Sequence, residues 1–200
     1  MANDLTRRQV LGLGLAGLVA ASLPRAALAL DVGQARGLID DVVGEINRVI
    51  SSGGSEAAML GQFEALFVRY ADVPVIARSV LGPAGRQASP AQMQAFTKAF
   101  QGYISRKYGR RFREFIGGRI EVADARAVKS YYEVITTAFL RGEAPFEVRF
   151  QVSDKSGRLL FFNIIIEGVN MLASERTEIG AMLDRQGGNL DALISELQTA

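Results

Sequence analysis

Four carboxylates, Asp124, Glu133, Glu147 and Glu167, fall on or beside segments that read as β-strands. Two carboxyl groups facing each other in a cleft can divide acid and base roles, one protonated while the other is ionised. Such a pair needs mutual geometry that spacing along a strand does not supply. The plainer reading is solvated charge on strand faces. Glu167 differs from the rest, since it follows three isoleucines and precedes Gly168 where strand gives way to helix. A carboxyl there suits a structural role, pairing with a nearby Arg or backbone N–H at the turn. The rest of the catalytic inventory is thin. The chain has no Cys and no His, which removes thiol nucleophiles, disulfides, the commonest general base and the commonest metal ligand.

A second concentration of chemistry is cationic. Arg106, Lys107, Arg110, Arg111, Arg113 and Arg119 crowd the end of a predicted long helix. Guanidinium and ammonium groups in that density can meet phosphate head groups or an acidic partner. The wet side of an amphipathic helix carries the same residues, with cations favoured near its C-terminus by the helix dipole.

Hydrophobic period places these groups on elements. A helix is predicted over 31–51, where Leu38, Ile39, Val42, Val43, Ile46, Val49 and Ile50 share one stripe. A second runs from about Glu56 to Tyr70. A third follows Asp72, an N-cap residue type, with Pro74 in its first turn, and stops at Gly82-Pro83. Ser89-Pro90-Ala91-Gln92 starts a long helix to about Ile116, with Phe96, Phe100, Ile104, Tyr108, Phe112 and Phe115 on one stripe. The period then changes to two. Strands are predicted over 119–128, 131–140, 146–154 and 159–166, in meander order. The 146–154 run alternates cleanly, with Phe146, Val148, Phe150 and Val152 on one face, and a turn through Asp154, Ser156 and Gly157 leads into the last strand. Helices return from about Val169 to Gln186 and after Asn189. Helices, then strands, then helices make an α+β fold with a four-stranded antiparallel sheet.

The N-terminus reads as an address rather than as fold. Thr6-Arg7-Arg8-Gln9-Val10-Leu11 opens a short apolar run, and Ala27-Leu28-Ala29 supplies a small-residue cleavage site. The arginine pair matches a twin-arginine export signal over residues 1–29. Removing 29 residues from 200 leaves 171, a single domain over 30–200 with room for a full core. The signal takes Arg7, Arg8, Arg25 and Asp4 with it. The 23 basic and 21 acidic residues of the whole chain thereby become 20 and 20. A neutral chain gives no reason to expect nucleic acid as a partner.

Several segments together resemble a known family. They are Asp72 to Gly82, Ser89 to Gln92 with Phe96, Phe100 and Tyr108, Asn163 to Asn170, Glu175 to Glu178, and Gly187 to Ile194. They are similar to the MlaC, or toluene-tolerance, family of periplasmic phospholipid-binding proteins, over nearly all of the chain after the signal. The chain departs from the family pattern at Pro83 to Arg86, at Asn163 and Asn170, and at Glu175, where an aromatic is common.

The resemblance implies a cone-like sheet wrapped by helices, related to the nuclear-transport-factor shape, with an apolar cavity for phospholipid acyl chains. It also implies a periplasmic carrier moving lipid between an outer-membrane lipoprotein complex and an inner-membrane ABC transporter complex, with lipid as cargo, no cofactor and no covalent chemistry. Hopanoid-associated relatives share the pattern, so a hopanoid or another apolar lipid is an alternative cargo. A carboxylate-based enzyme on the same cone is the alternative of a different kind. Assigned by face, the expected lining is Phe67, Val73, Ile76, Val80, Phe96, Phe100, Ile104 and Tyr108 from helices. From the sheet it is Val134, Val148, Phe150, Phe162, Ile164 and Ile166, with Tyr132 or a nearby Arg marking the mouth.

Overall fold

The computed structural model describes residues 31–109 and 114–200. The export signal expected over residues 1–29 lies outside the described residues, as do Arg110, Arg111 and Arg113 of the basic cluster.

Side-chain caps set the helix starts. Asp31 begins α1 (Val32–Ser51): its Oδ1 accepts from the Gln34 N–H at 2.7 Å, and the Gln34 side chain reaches back to the Asp31 N–H. Ser55 caps α2 (Glu56–Tyr70) and Asp72 caps α3 (Val73–Leu81), with Pro74 in the first turn. A single turn, α4 (Ala84–Gln87), was not expected. Ser89 and Gln92 cap each other at the start of α5 (Pro90–Gly109). After the sheet come α6 (Met171–Arg185) and α7 (Leu190–Thr199), capped by Asn170 and Asn189.

Five strands run β1 (Arg119–Val128), β2 (Tyr131–Phe139), β3 (Phe146–Ser153), β4 (Leu160–Ile166) and β5 (Val169–Asn170), in that order and all antiparallel. The fold is α+β, as expected, with the four expected main strands and a short fifth of two residues. The extra strand arises because Val169 and Asn170 pair with Ile166 and Ile165 before α6 begins. A two-residue turn makes that pairing possible, with Glu167 at φ 48° and Gly168 at φ 82°. Both central residues of such a turn must have positive φ. The long helix also ends sooner than its aromatic stripe suggests. Among the described residues α5 stops at Gly109, and Glu114–Phe115 form a 3₁₀ turn. At Gly109 the helix lies against α2, where a Cβ would come within 2.1 Å of Leu60 Cδ2.

Two bulges bend the sheet. The β1–β2 register shifts between Val122 and Asp124, and the β3–β4 register shifts between Gln151 and Val152. Each inserts one residue on one strand and increases local twist. The sheet curls around its apolar face, and the helices close over that face. α1 packs on β1 and β2, α2 bridges α1 and α5, and α3 joins α5 to α6 and to β4. The contact of α1 with the open edge of the sheet is specific. The Asn47 amide donates to Ile120 O at 2.9 Å and accepts from Ile120 N at 3.0 Å. One side chain thereby satisfies both backbone groups of an edge-strand residue, which blunts that edge.

Candidate functional site: an apolar cavity between sheet and helices

Sheet and helices do not mesh completely. A cavity of about 610 Å³ opens between them, within the size range of small-molecule sites. Its helical wall is Val42 and Ile46 of α1, Phe63, Leu66 and Phe67 of α2, Ile76 of α3, and Phe100, Ile104, Ser105, Tyr108 and Gly109 of α5. Its sheet wall is Ile120, Phe146, Val148, Phe150, Phe161, Phe162, Asn163, Ile164 and Ile166. Leu172 and Glu175 of α6 complete it, with Glu114, Phe115, Leu140, Glu143, Glu167, Val169 and Met171. Ile164, Ile166 and Leu172 remain only half-buried although they face inward. In a close-packed interior such side chains would be covered.

Of the expected lining, Phe67, Ile76, Phe100, Ile104, Tyr108, Val148, Phe150, Phe162, Ile164 and Ile166 are in the cavity wall. Val73, Val80, Phe96, Val134 and Tyr132 are not. Val80, Phe96 and Val134 are sealed in the packed core, Val73 nearly so, and Tyr132 packs against that core from its margin. These five point inward as their period requires. Neighbouring elements cover Val73, Val80, Phe96 and Val134, so no space is left in front of them, whereas Tyr132 stays half-buried outside the cavity wall.

Phe161 shows what alternation misses. Counting by twos from Phe162 places Phe161 on the outer face. The bulge leaves Val152 opposite Phe161 and Gln151 opposite Asn163, so Phe162 is the inserted residue. Phe161 turns inward onto Phe150, edge to face with ring centres 5.6 Å apart, and onto Phe67 at 6.4 Å. Asn163 is held on both sides. Its amide donates to Gln151 Oε1 and Asn170 Oδ1, both at 3.0 Å, and its Oδ1 accepts from the Ile164 and Leu172 N–H groups. That arrangement fixes the start of α6 against β4.

A polar cluster backs the α5–α6 side of the cavity. Lys107 Nζ donates to Glu175 Oε1 at 2.8 Å and also to Glu178. Tyr108 donates to Glu175 Oε1 and Tyr103 donates to Glu178. Burial pushes the Tyr103 hydroxyl up to about 12, assisted by its bond to Glu178. Burial and the bond to Glu175 push Tyr108 up as well. Burial opposes the charge on Lys107, but its two carboxyl partners prevail and raise it. Burial likewise opposes ionisation of Glu178, yet the bonds from Lys107 and Tyr103 hold it below the usual carboxylate range. Glu175 is the residue the sequence reading passed over. Its only signal was a charged residue where the family commonly has an aromatic.

The strand carboxylates do not converge. Glu133 lies on the opposite face of the sheet from the cavity, buried under Arg126 at 2.7 Å and Gln151 at 3.2 Å, with Arg149 at 3.9 Å. Asp124 and Glu147 are exposed. Glu167 alone of the four lines the cavity, and it too is exposed. Its N–H donates to Glu147 O at 3.0 Å, a backbone bond in which the carboxyl group, expected to pair with an Arg or an N–H, takes no part.

Comparison with solved structures gives the fold an outside check. The phospholipid-binding protein from Ralstonia solanacearum, solved in complex with a phospholipid, superposes with a TM-score of 0.70 at 18% identity, over 82% of this chain and 94% of that one. At that identity the likeness establishes the shared fold. The family profile described as MlaC protein matches residues 37–199. That span runs from the first turns of α1 to the end of α7 and takes in every wall of the cavity, and this chain belongs to the MlaC family.

Proposed function

We propose that this protein is a periplasmic lipid carrier that holds acyl chains between its sheet and helices. The observation that carries the reading is the cavity of about 610 Å³ with a predominantly apolar wall. Family membership supports it, and so does the related fold from Ralstonia solanacearum, which was solved with a phospholipid bound. Each methylene moved from water into such a wall contributes about 0.8 kcal/mol. A chain of ten methylenes is therefore retained by roughly 8 kcal/mol before ordering costs. Retention of that order makes unassisted release slow. The carrier accordingly works between two membrane complexes that open it, an outer-membrane lipoprotein complex and an inner-membrane ABC transporter complex. The export signal read over residues 1–29 delivers it to the compartment between them.

Organic extraction of the purified protein followed by mass spectrometry tests the reading. The expected result is about one intact lipid per protein, falling by more than half in Ile104→Trp, whose indole fills the space. Repeated preparations without stoichiometric lipid, including after incubation with vesicles, would overturn it. A hopanoid in place of phospholipid would keep the carrier and change its cargo.

A further inference from the structure

The two flanks of α5 are built differently where they border the cavity. Toward α2 the approach is close: a Cβ on Gly109 would come within 2.1 Å of Leu60 Cδ2. Only a residue without a side chain fits there. Toward α6 the bonds run through long polar side chains. Tyr108 of α5 and Glu175 of α6 both line the cavity, and the tyrosine donates to the carboxylate across the seam. Beside that bond, Lys107 donates to Glu175 at 2.8 Å and to Glu178, and Tyr103 donates to Glu178. The outer part of this seam is wet, since the side chains of Lys107 and Glu178 keep 28% and 46% of their surface in solvent. Each helix has its own anchor: α5 lies against α2, and Asn163 of β4 holds the first turn of α6. α3 packs on both helices, so they stay joined if the seam parts.

We propose that the bonds of Tyr103, Lys107 and Tyr108 to Glu175 and Glu178 are the clasp of the cavity, and that parting α5 from α6 there is the step that admits and releases a lipid tail. The proposal rests on the lipid-carrier reading and adds where the cavity opens. The two flanks differ in what opening costs. Drawing α5 away from α2 uncovers apolar surface such as that of Leu60, with nothing to replace the contact. Parting α5 from α6 releases hydrogen bonds that water takes over, so the cost is only the difference between two sets of bonds. The same bonds close the seam again once the tail is inside.

The test follows pyrene-labelled phosphatidylcholine as it leaves the loaded protein for unlabelled dioleoyl-phosphatidylcholine vesicles. Lys107→Met should speed release by about tenfold, the factor that one charged hydrogen bond supplies. Val134→Ala trims a fully buried side chain outside the cavity wall and should leave release within about twofold of wild type. Equal rates in the two variants would overturn the clasp. The chain has no Cys, so the double variant Lys107→Cys with Glu178→Cys can be joined across the seam by a short bis-methanethiosulfonate. Once joined, it should release lipid about tenfold more slowly than wild type, and a thiol reductant should restore release. Release from the joined protein at the wild-type rate would overturn the clasp and leave the carrier standing. A wild-type protein that takes up no labelled lipid would overturn both.

Discussion

Lys107 Nζ sits 2.8 Å from Glu175 Oε1 and pairs with Glu178 as well, so one lysine of α5 ties two successive turns of α6 to the cavity wall. The Glu175 side chain is almost wholly buried, whereas that of Lys107 keeps 28% of its surface in solvent. Removing one member of a buried pair strands its partner, at about 3–5 kcal/mol when both are fully enclosed. Solvent at Lys107 lowers that cost. Lys107→Met is expected to destabilise by about 2 kcal/mol, seen as a fall in Tm of about 4–8 °C. An unchanged Tm would mean that the pair contributes nothing to the α5–α6 contact.

The same cluster sets the alkaline limit of stability. Tyrosine in the unfolded chain loses its proton near about pH 10, whereas Tyr103 in the fold holds it up to about 12. Below pH 10 both states are protonated and stability is flat. Between pH 10 and 12 the unfolded state ionises first, so stability falls. Tyr108 is shifted in the same direction. Lys107, also raised, contributes fully below its unfolded value near about 10.4 and loses that contribution above it. Urea midpoints measured from pH 9 to 12 should decline across this window, less steeply in Tyr103→Phe.

On the acid side the sign reverses. Glu178 and Glu133 are held below their ordinary values by their hydrogen-bonded cations. Their contribution is present above about pH 4.3 and is lost as pH falls through their lower folded values. Acid titration of the urea midpoint should show that limb, and Glu133→Gln should remove part of it. The same substitution takes the shared carboxylate from Arg126 and Arg149, although Arg149 keeps Glu147, and the urea midpoint at neutral pH should fall modestly. Because Glu133 lies across the sheet from the cavity, bound lipid per protein should not change.

Residues that fill and residues that line should separate on truncation. Phe96 has no exposed surface and stacks on Phe100 with ring centres 5.8 Å apart. Phe96→Ala should cost about 3–5 kcal/mol in urea denaturation. Ile166 faces the cavity, where fewer atoms meet it, so Ile166→Ala should cost about 1 kcal/mol. Equal losses at the two positions would show that the space closes in solution.

Much of the architecture was legible from residues alone. The change of period from helix to strand near Arg119, the helix starts at Asp72, Ser89 and Asn189, and the meander order all follow from local physics. Periodicity and capping act within a few residues, so no distant contact is needed to read them. The fifth strand was not legible. Val169 and Asn170 fit the start of a helix by composition, and only their pairing across the Glu167-Gly168 turn makes them strand.

The sequence by itself determined which side of each element faces inward. It did not determine what that side meets. Phe96 and Phe100 lie one helical turn apart with the same chemistry and the same burial, yet Phe100 borders the cavity and Phe96 does not. Phe161 turns inward because a bulge inserts a residue between strands paired across the sheet. Glu175 became part of the site because Lys107 and Tyr108 of another helix reach the same one of its oxygens. Period along a chain records the direction of a side chain, whereas void or contact depends on how far away the opposing surface lies, and that distance is set by elements remote in sequence.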